Sequence, residues 1–112
     1  MATNREFIDY VAEQLDLGDR FSCKRMFGEY ALYIDRKVVA FACDNSLFVK
    51  PSEATARLVP QLPQRPPFPG AKDYPVADEL LDDSGAIRAL IMHTALALPE
   101  PKPRKPRARR RR

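Results

Sequence analysis

The stretch FSCKRMFGEYALYIDRKVVAFACDNSLFVKP, Phe21 to Pro51, decides the fold. It is rich in Phe, Tyr, Val and Ile, and turn residues interrupt it at short intervals, which is the pattern of successive strands. Breaks at Gly28-Glu29, Asp35-Arg36-Lys37 and Asp44-Asn45-Ser46 leave strand-like runs at about 22–27, 30–35, 38–43 and 46–50. Links this short join only antiparallel neighbours, because a parallel crossover needs a dozen residues or more. The expected product is a meander. Strict alternation puts Leu32 with Ile34 on one face, and Val39 with Phe41 likewise. Pro51 closes the run.

Upstream, TNREFIDYVAEQLDLGD (Thr3–Asp19) reads as a helix with punctuation at both ends. Thr3 and Glu6 have the spacing of a capping box. Phe7, Ile8, Val11 and Leu15 form one apolar stripe, and Gly18 suits the left-handed position past the end. Downstream, Ser52 can cap a short helix to about Val59. The proline-dense stretch from Pro60 to Pro75 then excludes a helix or a long central strand. It leaves room for short edge strands around Phe68 and Tyr74. VADELLDDSGAIRALIMHTALALP (Val76–Pro99) is helical in composition, with a break at Ser84-Gly85. Ser84 is the expected cap of a last helix that buries Ile87, Leu90, Ile91, Thr94, Ala95 and Leu98. No internal repeat occurs. A sheet with one apolar face needs cover, and amphipathic helices supply it. The expected fold is therefore a two-layer α+β domain, an antiparallel sheet covered on one face by helices.

At 112 residues the chain holds one domain with one modest core. Its charge divides unevenly. Up to Pro99 there are 11 Lys and Arg against 14 Asp and Glu, a net −3; from Glu100 onward there are 8 cations against 1 anion, a net +7. The overall +4 therefore belongs to the end of the chain, and no basic groove on the body is implied. Cys23 and Cys43 are expected as free thiols and small buried hydrophobes in a reducing, cytoplasmic setting. No secretory leader and no apolar run near the roughly 20 residues that span a bilayer is read.

Chemistry finds few footholds. A single histidine, His93, and two separated cysteines make no zinc ligand set. His93 lies between apolar neighbours of a helix, a place for a packed histidine rather than a base. Asp82 and Asp83 precede a helix N-terminus, whose dipole accounts for them. Cys23 beside Lys24 and Arg25 could be an activated thiol, but in a strand Cys23 and Lys24 face opposite sides. No nucleophile elbow, phosphate-binding loop or metalloprotease motif occurs. The expectation is a protein that is not an enzyme and needs no metal or cofactor.

KRMFGEYALY, Lys24 to Tyr33, packs Met26, Phe27, Tyr30 and Tyr33 beside two cations. Exposed aromatics among cations on a sheet can stack single-stranded bases. The preferred reading makes them core residues on one face and snorkelling cations on the other, because the domain has few other large side chains. The stretch also resembles the signature of the TfoX (Sxy) N-terminal domain family. Arg25-Met26-Phe27-Gly28, Tyr30, Leu32-Tyr33 and Leu47-Phe48-Val49-Lys50 stand where the family shows its Arg-Met-Phe-Gly-Gly-Tyr-Gly-Leu-Tyr run and its following strand. Tyr74 to Asp83 is similar to the family's later tyrosine-containing segment. Glu29 and Ala31 replace two of the family's glycines, and 112 residues are expected to be too few for the namesake's second domain. The resemblance implies a two-layer domain of order α-β-β-β-α-β-β-α over residues 1–99. It also implies bacterial transcription regulation in competence for DNA uptake, through a transcription-factor partner, with no enzymatic activity or cofactor. Arg25, Met26, Phe27, Gly28 and Tyr30 would be mainly structural.

The end of the chain, KPRKPRARRRR, carries Lys102, Arg104, Lys105, Arg107, Arg109, Arg110, Arg111 and Arg112. Three prolines keep it extended, so residues 100–112 are expected as a disordered Pro/Arg-rich tail. An extended arginine-rich arm contacts phosphates and can enter a narrow minor groove. Nucleic acid is accordingly its first expected partner. The alternatives are an acidic protein or anionic membrane surface, or an inert solvated end on a stand-alone protein-interaction module. A free sheet edge would also let two copies pair.

Overall fold

The computed structural model describes residues 3–26 and 28–99. Strands β1 (Phe21–Met26), β2 (Glu29–Ile34), β3 (Lys37–Cys43) and β4 (Ser46–Val49) form one antiparallel sheet in the order β1-β2-β3-β4. This is the meander read from the sequence, with one strand more before the second helix than the resemblance implied. The β3–β4 link is two residues, and Asp44 and Asn45 both hold positive φ, at 52° and 58°. That backbone matches the right-handed twist of the flanking strands, and Asp and Asn tolerate it best after glycine. Gly28 sits at φ 84° in the β1–β2 link.

The face assignment of β3 differs from strict alternation. Tyr33 pairs with Val38, but Leu32 pairs with Ala40, so Val39 is an extra residue, a β-bulge. Val39, Ala40 and Ala42 consequently all join the helix-side core, and Phe41 turns to the opposite side. The expectation that Val39 and Phe41 share a face fails because one inserted residue inverts the alternation beyond it.

Helices α1 (Arg5–Leu15) and α3 (Ser84–Ala97) cover one face, with short α2 (Glu53–Leu58) packed on α3. The core between them joins Ile8, Val11 and Leu15 of α1 to Leu32, Ile34, Leu47 and Val49 of the sheet and Ile87, Leu90 and Ile91 of α3. A turn of 3-10 helix at Gly18–Arg20 leads into β1, and another at Asp78–Leu80 leads towards α3. The two-layer α+β architecture is as expected.

Several helix ends are held differently from the sequence reading. Thr3 does not cap α1. Its hydroxyl donates to the Glu29 carboxylate at 2.6 Å, with the Ala42 carbonyl at 3.1 Å, and Asn4 takes the cap position. Asp16, at φ 50°, is the left-handed cap of α1, and Gly18, two residues on, is left-handed as expected, at φ 56°, where it opens the 3-10 turn. Asp83, not Ser84, caps α3 by accepting the Ala86 N–H at 3.1 Å. Ser52 does cap α2 in a reciprocal box: its hydroxyl accepts from Ala54 and Thr55, and the Thr55 hydroxyl accepts from Ser52 N–H at 3.0 Å.

The proline-dense segment runs along the opposite side of the sheet. It contributes only β5 (Gln64–Arg65) and β6 (Tyr74–Pro75), two residues each, so the expected edge strand lies at Gln64–Arg65 and Phe68 falls in a bend. A bridge from Phe48 to Val76 and a 2.8 Å bond from Ala77 N–H to the Leu47 carbonyl tie it to β4.

Two stability outcomes follow. Thr94 is wholly buried on α3, and its hydroxyl has no hydrogen-bond partner among the described residues. Thr94→Val removes an unpaired polar atom at nearly constant shape, and should raise the urea midpoint by the equivalent of about 1 kcal/mol. Leu90→Ala, four residues away, should lower stability by about 2–5 kcal/mol through the cavity it leaves.

Candidate nucleic-acid interface

The eight cations of the tail, Lys102 to Arg112, lie outside the described residues, as does Phe27. What the structure places is the surface of the body. The remaining motif residues divide between the two sides of the sheet. Tyr30 is 6% exposed and belongs to the helix-side core. Arg25 pairs with Tyr30 across the strands and is exposed. Lys24 and Met26 pair with Ala31 and Glu29 and so share the far side with them. Around Gly28 the motif anchors the start of the chain: Thr3 N–H donates to the Gly28 carbonyl at 3.1 Å. The Glu29 carboxylate also accepts Asp44 N–H at 3.1 Å, and Asn45 accepts Asn4 N–H at 2.8 Å. Gly28 and Tyr30 thus both make contacts within the fold.

The far side of the sheet gathers aromatic rings. Tyr33 points away from the helices, since its neighbours Leu32 and Ile34 are buried beneath them. Phe41, turned outward by the bulge, meets Phe68 edge-on at 6.4 Å and Tyr74 at 5.8 Å between ring centres. Phe48 lies beside Phe41 on β4 and carries the Arg65 guanidinium over its ring at 5.5 Å, a cation–π contact. A cross-strand row thus runs Lys24, Ala31, Phe41, Phe48, with a cation at each end. The sequence reading took Tyr33 for core and did not group Phe41, Phe48, Phe68 and Tyr74. The grouping depends on the bulge and on a loop fold with no short-range signal.

The residues weighed for chemistry have other positions. Asp82 accepts a short hydrogen bond from the Tyr10 hydroxyl, which ties α1 to the start of α3. Asp83 caps α3. His93 is exposed on α3, beside Glu53 and Arg57 of α2 in an open surface cleft. Cys23 is half-buried at the rim of the core, with Lys24 on the opposite face. Cys43 is buried on the far side, and loss of water contact, reinforced by Glu29 and Asp44, pushes its thiol up to about 11. Among the described residues, no three His, Cys, Asp or Glu side chains are grouped to hold a metal ion. No helix among them is long and apolar enough to cross a membrane.

Some of the body's charges are paired locally. Arg20 and Asp35 make two contacts, at 3.2 and 3.0 Å, and Arg5–Asp9 and Arg57–Glu53 bridge one helical turn at 3.2 and 3.5 Å. Such exposed pairs contribute little to stability, but they leave the body without a strong field of one sign.

A four-stranded meander sheet under two helices, with the Gly28 turn and the buried Tyr30 beside it, defines a small α+β domain class that comparison identifies. The TfoX N-terminal domain matches residues 13–97, and the chain belongs to that family. It is also 45% identical over 105 residues to a Spirochaeta aurantia protein described as an uncharacterized 12.7 kDa protein in trpE 5′ region, covering 94% of this chain and 91% of that one. No solved structure matches the chain.

The raised Cys43 thiol has a pH consequence. The unfolded chain releases this proton near the ordinary value of 9.0, whereas the folded chain holds it to about 11. Between these values the folded state binds more protons, so stability falls as pH rises through the window. In urea titrations across it, Cys43→Ala should lose less stability than the parent, by on the order of 1–2 kcal/mol.

Proposed function

We propose that this chain is a small non-enzymatic regulatory adaptor of the cytoplasm. Its body engages a protein partner of the transcription-factor kind, and its C-terminal run holds nucleic acid through the phosphates. The observation that carries this reading is the separation of charge: a net −3 over residues 1–99 and +7 over residues 100–112. A body with a net −3 offers little long-range attraction to a polyanion, so the attraction concentrates on Lys102, Arg104, Lys105, Arg107, Arg109, Arg110, Arg111 and Arg112 as a group. Phosphate binding of this type is sequence-tolerant and driven by counterion release. Family membership supports the regulatory part, and the structural duties of Asp82 and Asp83 support the absence of catalysis.

The test is duplex DNA binding by fluorescence anisotropy across a salt series. The comparison chain has its eight tail cations changed to glutamine. The parent should bind with a log–log salt slope approaching about −7, and the glutamine chain should not bind. Equal binding by the two chains, or none by the parent near physiological salt, would sink the phosphate-anchor role.

A further inference from the structure

We infer that the far side of the sheet, around Tyr33, Phe41 and Phe68, is a stacking surface for single-stranded nucleic acid. The inference deepens the nucleic-acid reading of the tail, on which it rests for long-range attraction. Its first support is where the aromatic rings are. The largest fully buried side chains are aliphatic: Ile8, Leu15, Leu32, Ile34, Leu47, Ile87, Leu90 and Ile91. Phe7, Tyr10, Phe21 and Tyr30 join or line the helix-side core, and five other rings collect on the far side. There Phe48 is buried with Cys43 and Val76, while Tyr33, Phe41 and Phe68 keep part of their surface in solvent. Phe68 is 49% exposed while it packs perpendicular to Phe41, a poor place for a ring whose only role is to exclude water.

The second support is charge. Lys24 stands exposed at the β1 end of the row and Arg65 at the β4 end. The one carboxylate on this side of the sheet strands, Glu29, is already engaged by Thr3 and Asp44, and Lys72 and Asp73 of the connecting segment offset each other. Between these margins Phe48 is buried beneath Arg65, and the half-buried Tyr33 and Phe41 with the exposed Phe68 are the rings on which the bases of a strand would lie, its phosphates running towards the cations. Bases offer a π-face whatever their identity, so such a surface is sequence-tolerant. Four strands span about 14 Å, and sheets that bind RNA in this manner seat roughly two or three bases. A duplex, with its bases stacked inside, cannot use the rings. The tail's phosphate contacts serve both forms, and that difference separates the two roles.

The experiment uses the full chain with fluorescein-labelled oligothymidylate and a labelled duplex, near physiological salt. Phe68→Ala and Tyr33→Leu should each weaken oligothymidylate binding by about fivefold or more and leave duplex binding unchanged. Tyr33→Phe should bind as the parent does. The chain has no Trp and four Tyr, so tyrosine emission is visible directly. Oligothymidylate should quench it in the parent and less in Tyr33→Phe. Unchanged melting curves show that the variants fold. If both ring variants bind oligothymidylate like the parent, the stacking surface is overturned and the tail acts alone. If the parent binds no oligothymidylate, it is overturned and the exposed rings belong to a protein partner. If duplex binding is absent but ring variants still weaken oligothymidylate binding, the stacking surface stands and the tail anchor falls.

Discussion

One extra residue in β3 determines which side of the sheet the rest of that strand faces. With Val39 inserted, Tyr33 opposes Val38 but Leu32 opposes Ala40. Two small residues, Ala40 and Ala42, then lie on the helix side, where α3 packs on β3. Phe41 would otherwise stand opposite Tyr30 and crowd the core with a second large ring. Close packing tolerates such additions badly. The bulge thus gives the helices a low floor, and the same step exports Phe41 to the side where Phe68, Tyr74 and Phe48 gather. Layer spacing and surface chemistry share this single origin.

The opposite end of the sheet is fixed by polar contacts. Thr3, Glu29, Asp44 and Asn45 join the start of the chain to the β1–β2 and β3–β4 links. Thr3 is buried, and its hydroxyl both donates to Glu29 and accepts from Asn45 N–H at 3.3 Å. These bonds set the line along which α1 enters. At its other end Tyr10 and Gln14 reach the Leu81 carbonyl, at 3.3 and 2.6 Å, and Arg88 reaches the Leu15 carbonyl at 2.8 Å. The helices are thereby located by directional bonds at their margins and by non-directional burial between them.

Much of the architecture was legible because short-range rules govern it. Turn residues spaced a few positions apart located four strands within one residue or two, and the stripe from Ile87 to Ala95 is buried as its spacing required. The errors share a physical cause, a long-range partner displacing a local one. Thr3 had the spacing of a cap, but Glu29, 26 residues on, holds its hydroxyl. Alternation placed Phe41 with Val39 until the pairing with β2 broke the register. The far-side ring group was illegible for the same reason, since Phe68 and Phe41 meet only through the path of a proline-dense loop. Family membership was readable from the turn motif because a short run of residue types, Arg25-Met26-Phe27-Gly28 and Tyr30, carries it in the sequence itself.

That loop also limits growth of the sheet. It pairs with the β4 edge through Val76 and Ala77, and its own strands are two residues long and bounded by prolines that have no N–H to offer another chain. The sheet therefore ends there in a border that cannot template a further strand. On the other border, β1 carries Lys24 and Arg25, so two copies approaching edge to edge bring like charges together. The consequence is colloidal: with both borders of the sheet closed to a further strand, crowding of copies does not become fibre growth.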